Sequence, residues 1–177
     1  MTFQKDRKYN ICRAMSSEIM KIMPYVIRYH FSQIFAVSAT KAYVWCTDYT
    51  PEDHVLMGQE KAKRKVIHLT DSTVVLKEIF PTTNGDIEKQ KLVHLYPDRR
   101  SWVSTHLIGP NKYSQFIYEL SAEDKNASRL NFTAHHVEHR KEIMTEMDIK
   151  LLEDKLCKSD SKVWKLLAKA MERELNK

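Results

Sequence analysis

Eight histidines are spread along this 177-residue chain, and three of them crowd into His135-His136-x-x-His139. Histidine is the side chain best suited to move a proton near neutral pH or to ligate a metal. The spacing works against a metal here. In a strand His135 and His139 share one face and His136 takes the other, because side chains alternate. Two positions four apart on a strand stand roughly 13 Å apart, too far to close on one ion without a bend, and zinc needs three or four converging ligands. What remains is acid–base or hydrogen-bonding chemistry by single inward histidines, with His94, His106 and His136 the candidates. Glu78, if it points inward with Phe80, is a fourth polar group of that kind.

Other chemistries lack their residues. There is no Gly-x-Ser-x-Gly elbow and no cysteine in a recognisable histidine context. Three glycines in the whole chain, none clustered, exclude the Gly-rich phosphate-cradling loops. Cys12, Cys46 and Cys157 are far apart and odd in number, as expected of free thiols in a reducing compartment. No catalytic set, cofactor site or metal site is assigned from these patterns.

Any such groups must be positioned by a core, and the chain has enough apolar residues for one: 42% are apolar and 29% charged. The net charge of +6 is distributed over short basic clusters beside acids or turns. That distribution argues against a nucleic-acid interface, which clusters its basic residues and interleaves aromatics. No stretch approaches the length of a membrane span, and no apolar leader stands at the start, so cytoplasm is the expected location. Residues 1–23 carry Ile11, Met15, Ile19 and Met20 behind a basic segment. They read as an amphipathic extension that packs on the body or makes peripheral contact with a membrane or partner.

From Tyr25 the pattern alternates through Val37, which predicts a long strand. Ser38 is placed to cap a short helix over Ala39–Thr47. Pro51 suits the first turn of a second, Pro51–Met57, ended by Gly58. Strands follow at Arg64–Thr70, Thr73–Phe80, Ile87–Tyr96, Ser101–Ile108, Tyr113–Leu120 and Arg129–His139. Turn residues separate them, with Asn84-Gly85 the clearest hairpin. Regular spacing and short turns predict an antiparallel meander. A lead-in helix is expected over 140–158, then a break at Lys158–Ser161, then a terminal helix over Ser159–Leu175. In that helix Trp164, Leu167, Ala168, Met171 and Leu175 form one apolar stripe.

This order is strand, two short helices, six antiparallel strands, long C-terminal helix. It resembles the helix-grip fold of the START and Bet v 1-like (SRPBCC) superfamily, and most closely its polyketide cyclase and lipid-transport-like branch. The stretches that carry the resemblance are Arg28–Met57, Glu78–Gly85 with its Asn-Gly hairpin, and Asp160–Leu175. It covers about Pro24 to Lys177, taken as a single domain, and leaves residues 1–23 outside.

The resemblance implies an α+β fold: a curved seven-stranded antiparallel sheet wrapped around the terminal helix, with a hydrophobic cavity between them. Alternation then nominates the lining. The fourth strand contributes Leu92, His94 and Tyr96. The sixth contributes Phe116 and Tyr118, the seventh Phe132 and His136, and the helix Trp164, Leu167, Ala168 and Met171. On the fifth strand the choice stays open between Trp102/Ser104/His106 and Val103/Thr105/Leu107, with His106 kept as a candidate. The leading expectation is a carrier or sensor of a lipid, isoprenoid, quinone or polyketide-like molecule. The alternatives are an aromatase/cyclase-type enzyme and a protein- or membrane-interaction module. Ligand identity and oligomeric state are not encoded in any motif.

Overall fold

The computed structural model describes residues 22–50 and 53–176. The first strand, β1 (Met23–Phe35), buries Ile27, Tyr29 and Phe35 on one face. Two short helices follow, α1 (Ala39–Thr47) and α2 (Asp53–Leu56). The remaining strands are β2 (Lys63–Thr70), β3 (Thr73–Thr82), β4 (Gly85–Tyr96), β5 (Ser101–Ile108), β6 (Gln115–Ala122) and β7 (Ser128–Arg140). They form one seven-stranded antiparallel sheet in the order β1-β7-β6-β5-β4-β3-β2. Consecutive strands pair through short turns, as local hairpin geometry favours. The exception is β1, which pairs along its length with β7, from Met23 opposite Arg140 to Phe35 opposite Ser128. The α1–α2 connection therefore carries the chain from one edge of the sheet to the other.

Turn chemistry accounts for the hairpins. Gly85 takes a φ of +109° at the β3–β4 turn, where a β-carbon would be strained. Thr82 braces that turn by donating to the Gly85 carbonyl at 2.6 Å. Between β4 and β5 a single 3₁₀ turn, Pro97–Arg99, ends with Arg100 in the left-handed region. Ser38 occupies the expected position before α1, but its side chain makes no capping bond. Pro51 and Glu52, the expected start of the second helix, lie outside the described residues, as do residues 1–21 of the N-terminal extension and Cys12.

The C-terminal region is one helix, α3 (Glu146–Leu175), where the sequence predicts a lead-in helix, a break and a second helix. Its start is a capping box. The Asp148 amide donates to Thr145 Oγ1 at 3.2 Å, and the Thr145 amide donates to Asp148 Oδ2 at 2.9 Å. Ser159, Asp160 and Ser161 have cap-forming side chains, but they sit mid-helix. Asp160 does not turn back on its own backbone: it accepts the Tyr29 hydroxyl at 2.7 Å. On either side, Ile149, Leu152, Leu156, Trp164, Leu167 and Met171 keep helical phase against the sheet, so the helix runs through. The segment before it is a turn rather than a helix, and there the Met144 amide donates to the Tyr25 hydroxyl at 3.0 Å.

Helix and sheet meet in two apolar clusters. One gathers Phe35, Ala42, Leu76, Val93, Trp102, Leu130 and Met171. The other gathers Ile27, Tyr29, Phe116, Phe132 and Ala134, with Leu152 and Leu156 from α3. Among the described residues, no helix is long and apolar enough to cross a membrane.

Candidate functional site

Members of both clusters also border an unfilled space. A cavity of about 650 Å³ lies between the sheet and α3. Its lining divides by strand. From β5, β6, β7, β1 and α3 come aromatic rings; from α2, β2, β3 and β4 come most of the charges, with Asp160 of α3 facing them.

The aromatic side is a stacked set. Trp102 lies parallel to Tyr118 with centroids 4.8 Å apart. Tyr118 meets Phe132 edge-on at 5.1 Å, and Trp164 of α3 lies 5.7 Å from Tyr118. Such offset and edge contacts are the favoured arrangements of aromatic rings. They leave flat apolar surface toward the cavity.

The charged side centres on Glu78, which is fully buried. Arg64, opposite it on β2, donates to Glu78 Oε1 from Nε at 3.0 Å and Nη2 at 2.9 Å. The same guanidinium reaches the Thr50 carbonyl and Asp53 through Nη1. Lys91 Nζ lies 2.6 Å from Glu78 Oε2. Burial pushes the Glu78 carboxyl up, but Lys91 and Arg64 outweigh it and hold it at about 2. His54 of α2 lies beside this group, with Nε2 3.5 Å from Glu78 Oε1 and its ring edge-on to Phe80. Burial, then the neighbouring Arg64, lowers His54 to about 4, so it is neutral at pH 7.

His106 stands where the two sides meet. Its Nδ1–H donates to Asn111 Oδ1 at 3.0 Å, which leaves Nε2 as the acceptor. Burial and then Lys91 lower it to about 3. On the facing wall, burial raises Asp160 despite the Tyr29 hydroxyl it accepts. Ser104 Oγ, Tyr49 Oη and the His54 ring nitrogens are buried without a hydrogen-bond partner among the described residues. All three side chains border the cavity.

Of the nominated residues, the structure brings His106, Phe116, Tyr118, Phe132, His136, Trp164 and Leu167 to the cavity. The open choice on β5 resolves to Trp102, Ser104 and His106. Leu92, His94 and Tyr96 fall on the opposite face of β4; Lys89, Lys91 and Val93 point inward instead. A strand's side-chain period is two, so choosing the wrong parity displaces the whole set. Alternation in the sequence points the apolar parity inward. Here charged residues occupy that face, because Glu78 compensates Lys91. Ala168 and Met171 are buried, but they pack into the core with Phe35 and Leu130 rather than lining the space. Among the cavity residues that sequence patterns do not nominate are Tyr29, Tyr49, Asp53, His54, Arg64, Lys89, Lys91 and Asp160. Glu78 held the signal for the basic ones: it alternates in phase with Val74, Leu76 and Phe80, and a buried acid needs basic neighbours. Within the His135–His139 group only His136 borders the cavity, its Nε2 3.4 Å from Glu138. Among the described residues, no group of three or more His, Cys, Asp or Glu is placed to hold a metal ion.

No family model matches this chain, and no curated protein matches it by sequence. Solved structures do match in fold. The Zhui aromatase/cyclase from Streptomyces sp. R1128 has a TM-score of 0.68 at 12% identity, over 85% of this chain and 96% of that one. A START superfamily protein from Mycobacterium smegmatis has a TM-score of 0.56 at 14% identity, over 84% and 97%. A truncated norcoclaurine synthase from Thalictrum flavum has a TM-score of 0.56 at 11% identity, over 85% and 94%. The fold is the helix-grip fold: an antiparallel seven-stranded sheet closed over by one long C-terminal helix. At these identities the likeness is one of fold, and activity has to be argued from the site.

Proposed function

We propose that this chain binds and carries a hydrophobic small molecule in the space between the sheet and α3. One domain, residues 24–177, forms the binding unit. The observation that carries this reading is a cavity of about 650 Å³ with Trp102, Tyr118, Phe132 and Trp164 along one side. A large apolar pocket with a few placed polar groups is what a small-molecule site requires. The likeness to a START superfamily protein supports the reading as analogy. Native mass spectrometry of the purified chain tests it: a co-purified apolar adduct, displaced by an added aromatic probe, is the expected outcome. A chain that neither retains nor takes up any apolar molecule sinks it.

A second reading, an aromatase/cyclase-type enzyme, is favoured by the convergence of Glu78, His106 and His136 on the same cavity. Glu78 is a poor base at about 2, tied as it is to two cations. His106, neutral with a free Nε2, is the better candidate to accept a proton. Turnover of a linear poly-β-ketone thioester, abolished in His106→Phe with uptake of an inert probe retained, would establish it. Of the segment 1–23 proposed for peripheral membrane contact, residues 1–21 lie outside the described residues, and Met23 is the first residue of β1, opposite Arg140.

A further inference from the structure

Among the described residues, the charges on the β2–β4 side of the cavity do not cancel. Arg64, Lys89 and Lys91 face Glu78 and Asp53 there. Arg64 bridges the two carboxylates, and Lys91 takes the second oxygen of Glu78. Lys89 lies directly across the ladder from Glu78, but it forms no ion pair among the described residues. Its Nζ instead sits 4.9 Å above the centroid of the Phe80 ring. A ring face attracts a cation but does not neutralise it. His54 and His106, both neutral, contribute no charge at pH 7. Asp160, the carboxylate on the facing helix, accepts the Tyr29 hydroxyl and keeps its charge; it acts on Lys89 across the cavity without forming an ion pair with it.

Lys89 is also kept in place. Gly109 packs against its stem, where an added β-carbon would stand 3.1 Å from Lys89 Cγ and 3.2 Å from the Glu88 carbonyl. The same cavity holds two buried hydroxyls, on Tyr49 and Ser104, that have no hydrogen-bond partner among the described residues. A cation without an ion pair and donors without partners among the described residues on one side, with flat aromatic surface on the other, define a two-ended ligand.

The geometry points to an acidic amphiphile as the molecule bound. Its apolar or aromatic body lies against Trp102, Tyr118, Phe132 and Trp164, and its single carboxylate or similar oxyanion accepts from Lys89 Nζ. This rests on the carrier reading and specifies its ligand class. A charge-assisted bond of this kind is stronger than a neutral one and gains further where water is excluded.

A matched pair of probes tests it: 1-pyrenebutyric acid and 1-pyrenebutanol, titrated into the full chain at neutral pH. All three tryptophans border the cavity, so their energy transfer to pyrene reports occupancy. The acid is expected to bind at least about tenfold more tightly than the alcohol, with added salt weakening only the acid. Lys89→Met should remove the preference and leave the alcohol within about twofold, while Lys89→Arg keeps part of it. Asp160→Asn, which removes the facing negative charge, should tighten the acid alone. If Lys89→Met does not fold, Lys89→Gln replaces it. Equal wild-type affinities for the two probes, or a preference that survives in folded Lys89→Met, overturns the inference and leaves the carrier reading standing. If neither probe binds, the carrier reading falls and this one with it.

Discussion

Removing the Glu78 charge would leave Arg64 and Lys91 repelling each other in a setting with little water. Arg64 has only 5% of its side chain exposed, and Glu78 none. Breaking a buried pair by deleting one partner is far more damaging than the pair itself is stabilising, because an uncompensated charge stays behind. Glu78→Gln is therefore expected to destabilise the chain by about 3 kcal/mol, read as a lowered urea midpoint at pH 7. An unchanged midpoint would mean that the cluster relaxes into solvent.

The same residues set the pH dependence. Glu78 titrates at about 2 in the folded chain against an ordinary 4.5, so its contribution is present above 4.5 and is lost as pH falls from there toward 2. His54 and His106 titrate at about 4 and about 3 against an ordinary 6.5. The unfolded chain binds protons on them first, so stability falls as pH drops below 6.5. Each group fully mismatched in protonation contributes a slope of about 1.4 kcal/mol per pH unit. Urea midpoints measured from pH 7 to pH 4 should fall steadily. His106→Phe should flatten that decline, since the proton uptake it removes belongs to the unfolded state. An identical slope in the variant would show that His106 is not held neutral by the fold.

At the scale of elements, the helix is where side-chain chemistry in the sequence misleads. Ser159, Asp160 and Ser161 are cap formers, and a local rule reads a boundary there. The rule fails because Asp160 is engaged by Tyr29, 131 positions away, which no local pattern can register. Ser159→Pro separates the two cases. At the first turn of a new helix proline would be tolerated; inside a continuous one it removes a hydrogen bond and clashes with the preceding turn, at about 3 kcal/mol or more. The expected result is the larger loss, with the midpoint of thermal unfolding falling accordingly. A near-neutral variant would favour a break. The strands were more legible. The ends of β5 and of α1 coincide with the predicted ones, and the other strands differ by a few residues at their ends. Their limits are written in turn residues and alternation, which are local. The direction each face points is not local: Lys91 is acceptable inward only against a Glu78 placed by tertiary pairing, and Lys89, two residues before it, shares that face and lies over the Phe80 ring.

At the scale of the whole molecule, a cavity between sheet and helix is a fold that declines to pack fully. Protein interiors are otherwise close-packed, and unfilled space forfeits contacts along its walls. If the space exists to be occupied, filling it from within should help the fold and harm uptake together. Ser104 is the position to try. It is buried between Trp102 and His106 on β5, faces the cavity, and its hydroxyl has no partner among the described residues. Ser104→Leu removes that unsatisfied group and adds apolar contact to empty space, for an expected gain of about 1 to 2 kcal/mol. The same three added carbons intrude beside the aromatic wall. Uptake of either pyrene probe should weaken by about tenfold or more, whichever head group it carries. Urea unfolding and probe titration on one preparation give both readouts. Opposite movement of stability and uptake is what a ligand cavity requires. A rise in stability with uptake untouched would place the binding surface elsewhere on the chain. A fall in stability would show that β5 and α3 are already in contact at this level of the sheet.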